Sequence, residues 1–195
     1  LLQLHGVTIS HDPVSGDMTL DPSNVEQARM VDIDAHAGSS RIPILFCGPL
    51  LHRLGEAFIP GLGGCEIGDR PVDFHFDVLR SFGAVIEKLP TGTRLSAPDG
   101  LRGAKISLPY PSVGATEQVL LSACIAQGKT ELSGAAIEPE IIDLCEMLVA
   151  MGARIQGAGT SRPSAQAPAT PRRRRVIMTM TTTSTATRRS ARTAS

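Results

Sequence analysis

The chain has 195 residues, of which 42% are hydrophobic and 19% are charged, and its formal net charge at pH 7 is zero. This composition is typical of a globular domain with a sizeable core, and no apolar run is long enough for a membrane-spanning helix. The N-terminus has no signal-peptide pattern, and the four cysteines form neither a disulfide scaffold nor a zinc pattern with histidines. We therefore expect a cytoplasmic protein with reduced thiols, no metal and no cofactor.

The zero net charge combines two segments of opposite sign. Residues 161–195 contain eight arginines and no acidic residue, whereas residues 1–160 contain 11 basic and 19 acidic residues. The basic segment is built mainly from Thr, Ser, Ala, Pro and Arg, which predicts a disordered tail after Thr160. A reading-frame error, an inert linker and a tail that binds nucleic acid through 172–175 all remain open. The acidic part shows no basic and aromatic interleaving, which argues against nucleic acid as a partner.

Hydrophobic spacing and turn residues define the elements along the rest of the chain, beginning with a final helical turn at 1–5. They predict four helices and three strands: helices over 40–54, from Pro71 to Phe82, over 115–127 and from Pro139 to Met151, and strands over 84–88, 93–96 and 104–108.

An internal repeat orders these elements. Residues 4–9, 81–86 and 150–155 each combine apolar residues, a glycine and a β-prone run. We expect each glycine to end a helix in the left-handed conformation, with a strand directly after it. The chain is therefore predicted to be α+β, built from repeated helix and strand units.

A glycine-rich stretch over 61–70 is several residues longer than its counterpart in the next repeat. Such insertions are typical of mobile loops that close over ligands. Cys65 lies at its centre and Arg70 at its end, beside a predicted helix N-terminus that favours a reactive thiolate. A buried, unreactive cysteine is the alternative interpretation.

A second candidate site is the segment Ser112, Val113 and Gly114, which precedes an apolar run. Backbone N–H groups of small residues at a helix N-terminus can bind a diphosphate. Serine and glycine also occur there only to cap a helix, so both interpretations stay open at this point.

Three strings carry a family resemblance: GGCEIGDRPVDFH at 63–75, SVGAT at 112–116 and EPEIIDL at 138–144. In order and spacing they resemble the bacterial UDP-N-acetylglucosamine enolpyruvyl transferases over about residues 1–160. The resemblance implies an inside-out α/β barrel domain of three βαβαββ units, with helices inside and sheets outside. The family has two such domains with the substrates in the cleft between them. This chain is then expected to cover most of one domain, with a partial first repeat, and to lack the second domain that the cleft requires.

The resemblance also implies a reaction and its residues. Enolpyruvyl moves from phosphoenolpyruvate to the 3-hydroxyl of UDP-N-acetylglucosamine, the first committed step of peptidoglycan synthesis. Cys65 corresponds to the general acid and to the residue that fosfomycin alkylates. Tyr110 stands at a substrate-binding position where many members have Lys, so that one cation for the diphosphate is lost. The other implied substrate-binding residues are Arg41, Arg70, Pro71, Val72, Asp73, Phe74, Ser112, Val113 and Gly114.

The family's phosphoenolpyruvate-binding Lys-Asn pair and its downstream catalytic Asp and Arg have no counterpart in this sequence. We therefore expect a piece of the transferase that does not turn over alone. The alternative is a truncated, non-catalytic paralogue that only binds UDP-sugar or fosfomycin.

Overall fold

The computed structural model describes residues 2–27, 42–60, 73–167 and 178–180. The chain separates into two compact units, one formed mainly by Arg29–Arg173 and the other by Leu2–Ala28 with Arg174–Ser195. No helix among the described residues is long and apolar enough to cross a lipid bilayer.

The smaller unit is a three-stranded antiparallel sheet. Its strands are β1 (Thr8–His11), β2 (Met18–Asp21) and β10 (Met178–Met180), with β2 in the centre. Short 3-10 turns at Leu2–His5 and Ser23–Gln27 precede β1 and follow β2. Val7 and Val25 are buried and supply apolar core to this small unit.

The larger unit contains one motif twice. The first copy consists of α1 (Cys47–Leu54), β3 (Glu56–Pro60), α2 (Asp73–Ser81), β4 (Val85–Leu89) and β5 (Gly92–Ser96). The second copy consists of α3 (Val113–Ala123), β7 (Lys129–Ser133), α4 (Pro139–Ala150), β8 (Arg154–Gln156) and β9 (Ser164–Gln166). In each copy the last strand lies between the other two and pairs antiparallel with both, and β6 (Lys105–Ser107) pairs in parallel with β7. The internal repeat predicted from the sequence is confirmed.

The glycines that mark the repeat have the conformation expected of them. The φ angles of Gly6, Gly83 and Gly152 are 80°, 95° and 106°, in the left-handed region that side chains disfavour. After α2 and α4, the N–H groups of Ala84 and Ala153 bond to carbonyls of the last helical turn at 3.0 and 2.9 Å. These bonds close a helix end and direct the chain into the next strand.

Two helices begin at other residues than the sequence predicted. The helix expected over 40–54 is described as a 3-10 turn, Ile42–Phe46, followed by α1 from Cys47. A start at 47 places Pro49 in the first turn, where its missing N–H costs no hydrogen bond. The helix expected over 115–127 begins earlier, at Val113, because Ser112 caps it.

The tail predicted to be disordered after Thr160 contains two strands. Residues 161–167 belong to the larger unit, where β9 pairs with β7 and β8. Further along, β10 pairs with β2 in the smaller unit. The composition of 161–195 as a whole hid these short segments, because three residues suffice for a strand that pairs with an existing edge. Residues 168–177 and 181–195 lie outside the described residues.

The helices of the larger unit pack against one another, with α3 in contact with α1, α2 and α4. Ala115, Val119, Leu120 and Ala123 of α3 are at most 1% exposed. The strands behind them are buried on one face only; in β6, Ile106 is buried between two exposed neighbours. Helices therefore form the interior layer and the sheets form the outer surface, as the fold class predicted.

A partly buried polar contact joins α1 to α3. Gly48 lies so close to Ser122 that a Cβ at position 48 would collide with the serine hydroxyl. His52 Nε2 donates to the Ser122 carbonyl at 2.7 Å, near the C-terminal end of α3 where carbonyls lack helical partners. Burial lowers the pKa of His52, and the hydrogen bond to Ser122 opposes that shift.

The lowered pKa of His52 predicts that stability decreases on acidification. Between its folded pKa and 6.5 the unfolded state binds more protons, so the free energy of unfolding rises with pH across that window. Urea unfolding at intervals between pH 7.5 and 5 should show a contribution of at most about 1.4 kcal/mol per pH unit from this group. His52→Gln should remove that contribution, whereas the exposed His11→Gln should not. Equal slopes for wild type and His52→Gln would contradict the assignment.

Candidate functional site

The structure describes six of the eleven residues singled out from the sequence. Arg41, Cys65, Arg70, Pro71 and Val72 lie outside the described residues. Asp73 and Phe74 form the first turn of α2, while Tyr110, Ser112, Val113 and Gly114 lead into and begin α3. These two segments, about 40 residues apart in the sequence, lie side by side in the fold.

Ser112 caps the N-terminus of α3. Its backbone is extended, with φ −84° and ψ 122°, and its Oγ accepts a hydrogen bond from the Ala115 N–H at 3.3 Å. The N–H groups of Val113 and Gly114 belong to the first turn and have no carbonyl of their own helix to bind. Together with the positive end of the helix dipole, they make this turn suited to an anionic group.

His75, in the first turn of α2, packs against the start of α3. A Cβ built on Gly114 would lie 3.1 Å from His75 Cε1 and 3.2 Å from its Nε2. Only glycine therefore fits at position 114 without moving the ring. The sequence placed His75 inside the family string but gave it no role, since its neighbour Gly114 lies 39 residues further along the chain.

An aromatic pair links the same two segments. The rings of Phe74 and Tyr110 meet edge to face, with centroids 5.1 Å apart and planes at 88°. Such pairs contribute about 0.5–1.5 kcal/mol beyond the area they bury. Tyr110 remains 50% exposed, so part of its ring is open to a ligand.

The acidic groups near α3 influence one another. Burial, and secondarily the charge of Glu140 on α4, raise the pKa of Glu117 in the second turn of α3.

The described cysteines are poor nucleophiles. Cys47, Cys124 and Cys145 are free and buried. Burial raises the pKa of Cys47 to about 12, that of Cys124 to about 11, and that of Cys145 above its usual value. Cys65 therefore stays the candidate for thiol chemistry. Within the described part of the chain, no cluster of three or more His, Cys, Asp or Glu side chains could hold a metal ion.

A groove of about 580 Å³ lies elsewhere, along β6, β7 and β9. Its lining includes Lys105, Lys129, Glu131 and Arg162. In β6 the exposed side chains flank the buried Ile106, so the groove belongs to the outer sheet surface rather than to the start of α3. We assign it no part in the candidate site.

The sequence model of one family, described as EPSP synthase (3-phosphoshikimate 1-carboxyvinyltransferase), matches residues 3–184. The chain belongs to the EPSP synthase family. The family match includes both repeats and extends past Thr160, where the sequence predicted a boundary.

Several relatives of this chain carry the name UDP-N-acetylglucosamine 1-carboxyvinyltransferase. That of Zymomonas mobilis is 53% identical over 123 residues, covering 63% of this chain and 29% of its own length. That of Azorhizobium caulinodans is 44% identical over 170 residues, covering 83% and 39%. That of Prochlorococcus marinus is 49% identical over 143 residues, covering 71% and 31%. The resemblance stated from the sequence is confirmed, and the chain spans about a third of the length of these relatives.

Solved structures of an enolpyruvyl transferase and of EPSP synthase also match. The enolpyruvyl transferase NikO from Streptomyces tendae superposes with a TM-score of 0.68 at 20% identity, over 85% of this chain and 38% of that one. EPSP synthase from Acinetobacter baumannii gives a TM-score of 0.63 at 22% identity, over 85% and 37%. At these identities the likeness concerns the fold alone, and it confirms the enolpyruvyl transferase fold predicted from the sequence.

Proposed function

We propose that this chain carries the nucleotide-binding side of a site that transfers enolpyruvyl from phosphoenolpyruvate to UDP-N-acetylglucosamine. The observation that supports it most directly is the adjacency of the first turns of α2 and α3, through His75 and Gly114. Two helix N-termini that meet favour a doubly charged group such as a diphosphate. The shared name of the relatives supports the choice of UDP-N-acetylglucosamine.

The diphosphate is proposed to lie at the start of α3. The N–H groups of Val113 and Gly114 would donate to its oxygens, while Ser112 holds the helix cap. Hydrogen bonds to a charged acceptor are worth about 1.5–3 kcal/mol each, and a pair of them fixes orientation as well as affinity. With Tyr110 in place of a lysine, more of the binding free energy would come from these N–H groups than from a side-chain cation.

The uridine is proposed to lie along residues 71–74. Phe74 is held edge to face by Tyr110, which fixes both rings before a ligand arrives. A preorganised aromatic surface binds a flat base at low entropic cost. Asp73, exposed in the first turn of α2, can accept hydrogen bonds from the nucleoside.

The transfer itself is proposed to proceed by addition and elimination. The 3-hydroxyl of the sugar loses its proton to a general base while its oxygen forms a bond to C2 of phosphoenolpyruvate and C3 takes a proton from the Cys65 thiol. In the second step C3 returns a proton to the Cys65 thiolate and the C2–O bond to phosphate breaks. Inorganic phosphate leaves with the proton that the base had taken from the hydroxyl. Arg70 and Arg41 would bind the anionic groups. Positioning two substrates in a closed cleft supplies a large part of such catalysis, and we propose that a second domain is needed for it.

Two other functions compete with this one. The first is transfer to a shikimate phosphate, the reaction that the family description names. The second is binding of UDP-sugar without turnover, as a non-catalytic module. The 44–53% identity to relatives with one shared name favours the UDP-sugar over the shikimate phosphate.

Titration calorimetry on the 195-residue chain tests the proposal. We expect UDP-N-acetylglucosamine to bind and shikimate 3-phosphate not to bind. In a parallel assay with phosphoenolpyruvate we expect no release of phosphate from the chain alone. Binding of shikimate 3-phosphate only, or of neither compound, would overturn the assignment of the nucleotide site. Phosphate release that needs both UDP-N-acetylglucosamine and Cys65 would refute the requirement for a second domain.

A further inference from the structure

Thr116 connects the start of α3 to another part of the fold. The residue is fully buried, at 0% exposure. Its Oγ1 donates a hydrogen bond to the Ser112 carbonyl at 2.8 Å and accepts one from the Ala136 N–H at 3.0 Å. A single hydroxyl therefore joins the capping residue of α3 to the connection between β7 and α4.

This connection is itself firmly held. Ala135 and Ala136 are 2% and 0% exposed, and the Ala135 N–H bonds to the Ser161 carbonyl at 3.1 Å. In the first motif the equivalent connection, between β3 and α2, is the longer stretch that contains Cys65. In the second motif the short connection between β7 and α4 is therefore hydrogen-bonded to the start of α3, and this bond anchors the helix start to the core.

The Thr116 hydroxyl acts on Ser112 by donating a hydrogen bond to the Ser112 carbonyl. The same carbonyl accepts the Thr116 N–H at 3.0 Å, and the Ser112 Oγ accepts the Ala115 N–H at 3.3 Å. These three bonds determine where the cap and the two following N–H groups point. The network through Thr116 Oγ1 continues out of the helix to Ala136, and the Ser112 N–H separately bonds to the Tyr110 carbonyl at 2.8 Å, in the segment before the helix.

We infer that Thr116 is a positioning residue for the anionic ligand at the start of α3, an inference that rests on the proposed function. It touches no ligand; it holds Ser112 so that the N–H groups of Val113 and Gly114 converge on one point. Donors that are fixed before a charged group arrives bind it more strongly than donors that must reorganise. Loss of the hydroxyl also leaves the buried Ala136 N–H without its acceptor, which frees the helix start to shift.

The chain offers a matched control in Thr130 of β7. Thr130 is 1% exposed, and its Oγ1 has no hydrogen-bond partner among the residues that the structure describes. Thr130→Val therefore makes the same chemical change at an equally buried site without breaking a bond. A purely structural role for Thr116 predicts that binding depends only on the folded fraction, whereas a positioning role predicts weaker binding by fully folded protein.

The test measures the Kd for UDP-N-acetylglucosamine by calorimetry, at a temperature where thermal melts show every variant folded. Thr116→Val should weaken binding about tenfold, Thr116→Ser should stay within about twofold of wild type, and Thr130→Val should match wild type. If Thr116→Val does not fold, Thr116→Ala removes the same hydroxyl with less bulk. Wild-type affinity in the valine or alanine variant, or equal losses in Thr116→Ser, would overturn the inference alone. Failure of the wild-type chain to bind would remove the proposed function and the inference with it.

Discussion

At pH 8, iodoacetamide is expected to alkylate Cys65 in the native chain and to leave the other three cysteines intact. The thiolate is the reacting species, and a pKa of about 12 for Cys47 reduces its thiolate fraction roughly a thousandfold below that of an ordinary thiol. Burial also denies the reagent access to Cys47, Cys124 and Cys145. Mass spectrometry of peptides sampled over time should show one fast site and three unmodified ones.

Two controls test whether burial and Cys65 account for the expected pattern of modification. In denaturant all four cysteines should react at similar rates, because the pKa shifts depend on burial. The variant Cys65→Ser should then show no fast site in the native protein. Rapid modification of Cys47 or Cys124 in the folded chain would contradict their burial in the core. Slow modification of Cys65 would contradict its proposed role as the proton donor.

Local patterns in the sequence predicted the helices and three of the strands, whereas the arrangement of helices inside and sheets outside was implied by the family resemblance. The glycines at 83 and 152 end helices because the C′ position needs a left-handed residue, a requirement that acts over one turn. Helical spacing predicts an apolar stripe of Ile141, Cys145, Leu148 and Met151; the first three are buried, whereas Met151 is 44% exposed at the end of α4. These features depend on neighbours within four residues, so a single sequence reveals them.

The contacts that define the candidate site have a different origin. Phe74 meets Tyr110, and His75 meets Gly114, across 36 and 39 residues of chain. No spacing rule relates such positions, since their approach results from the packing of α2 on α3. The family resemblance named both segments as substrate-binding, but it gave His75 and Thr116 no role. A role for His75 becomes apparent only from its contact with Gly114, and a role for Thr116 only from its hydrogen bond with Ala136.

The C-terminal segment shows where reasoning from composition fails. A count over 161–195 averages a long Arg, Ser and Thr region and conceals the strand Ser164–Gln166. That strand is stabilised by pairing with β7, which is distant in the sequence, and with β8, which shortly precedes it. The roles of Arg41, Cys65, Arg70, Pro71 and Val72, which lie outside the described residues, stay predictions.

Gly114→Ala is expected to weaken UDP-N-acetylglucosamine binding by about 10- to 100-fold. The new Cβ would lie 3.1–3.2 Å from the His75 ring, so either the imidazole or the first turn of α3 must move. A shift of the first turn misdirects the N–H groups proposed to bind the diphosphate, and the loss of one such charged hydrogen bond corresponds to this range. Stability should change little, because alanine is favoured over glycine in a helix by about 1 kcal/mol and offsets part of the strain.

Gly152→Ala is the control that separates binding from folding. At φ 106° and with open space around it, an alanine at 152 is strained by its backbone alone and should lower the free energy of unfolding by about 1–2 kcal/mol. Gly152 lies at the end of α4, away from the proposed site, so the variant should bind the nucleotide with wild-type affinity. Opposite responses in the two variants, measured by calorimetry and urea unfolding, would identify the start of α3 as the binding site. Equal affinities for Gly114→Ala and wild type would contradict the placement of the diphosphate at the N–H groups of Val113 and Gly114.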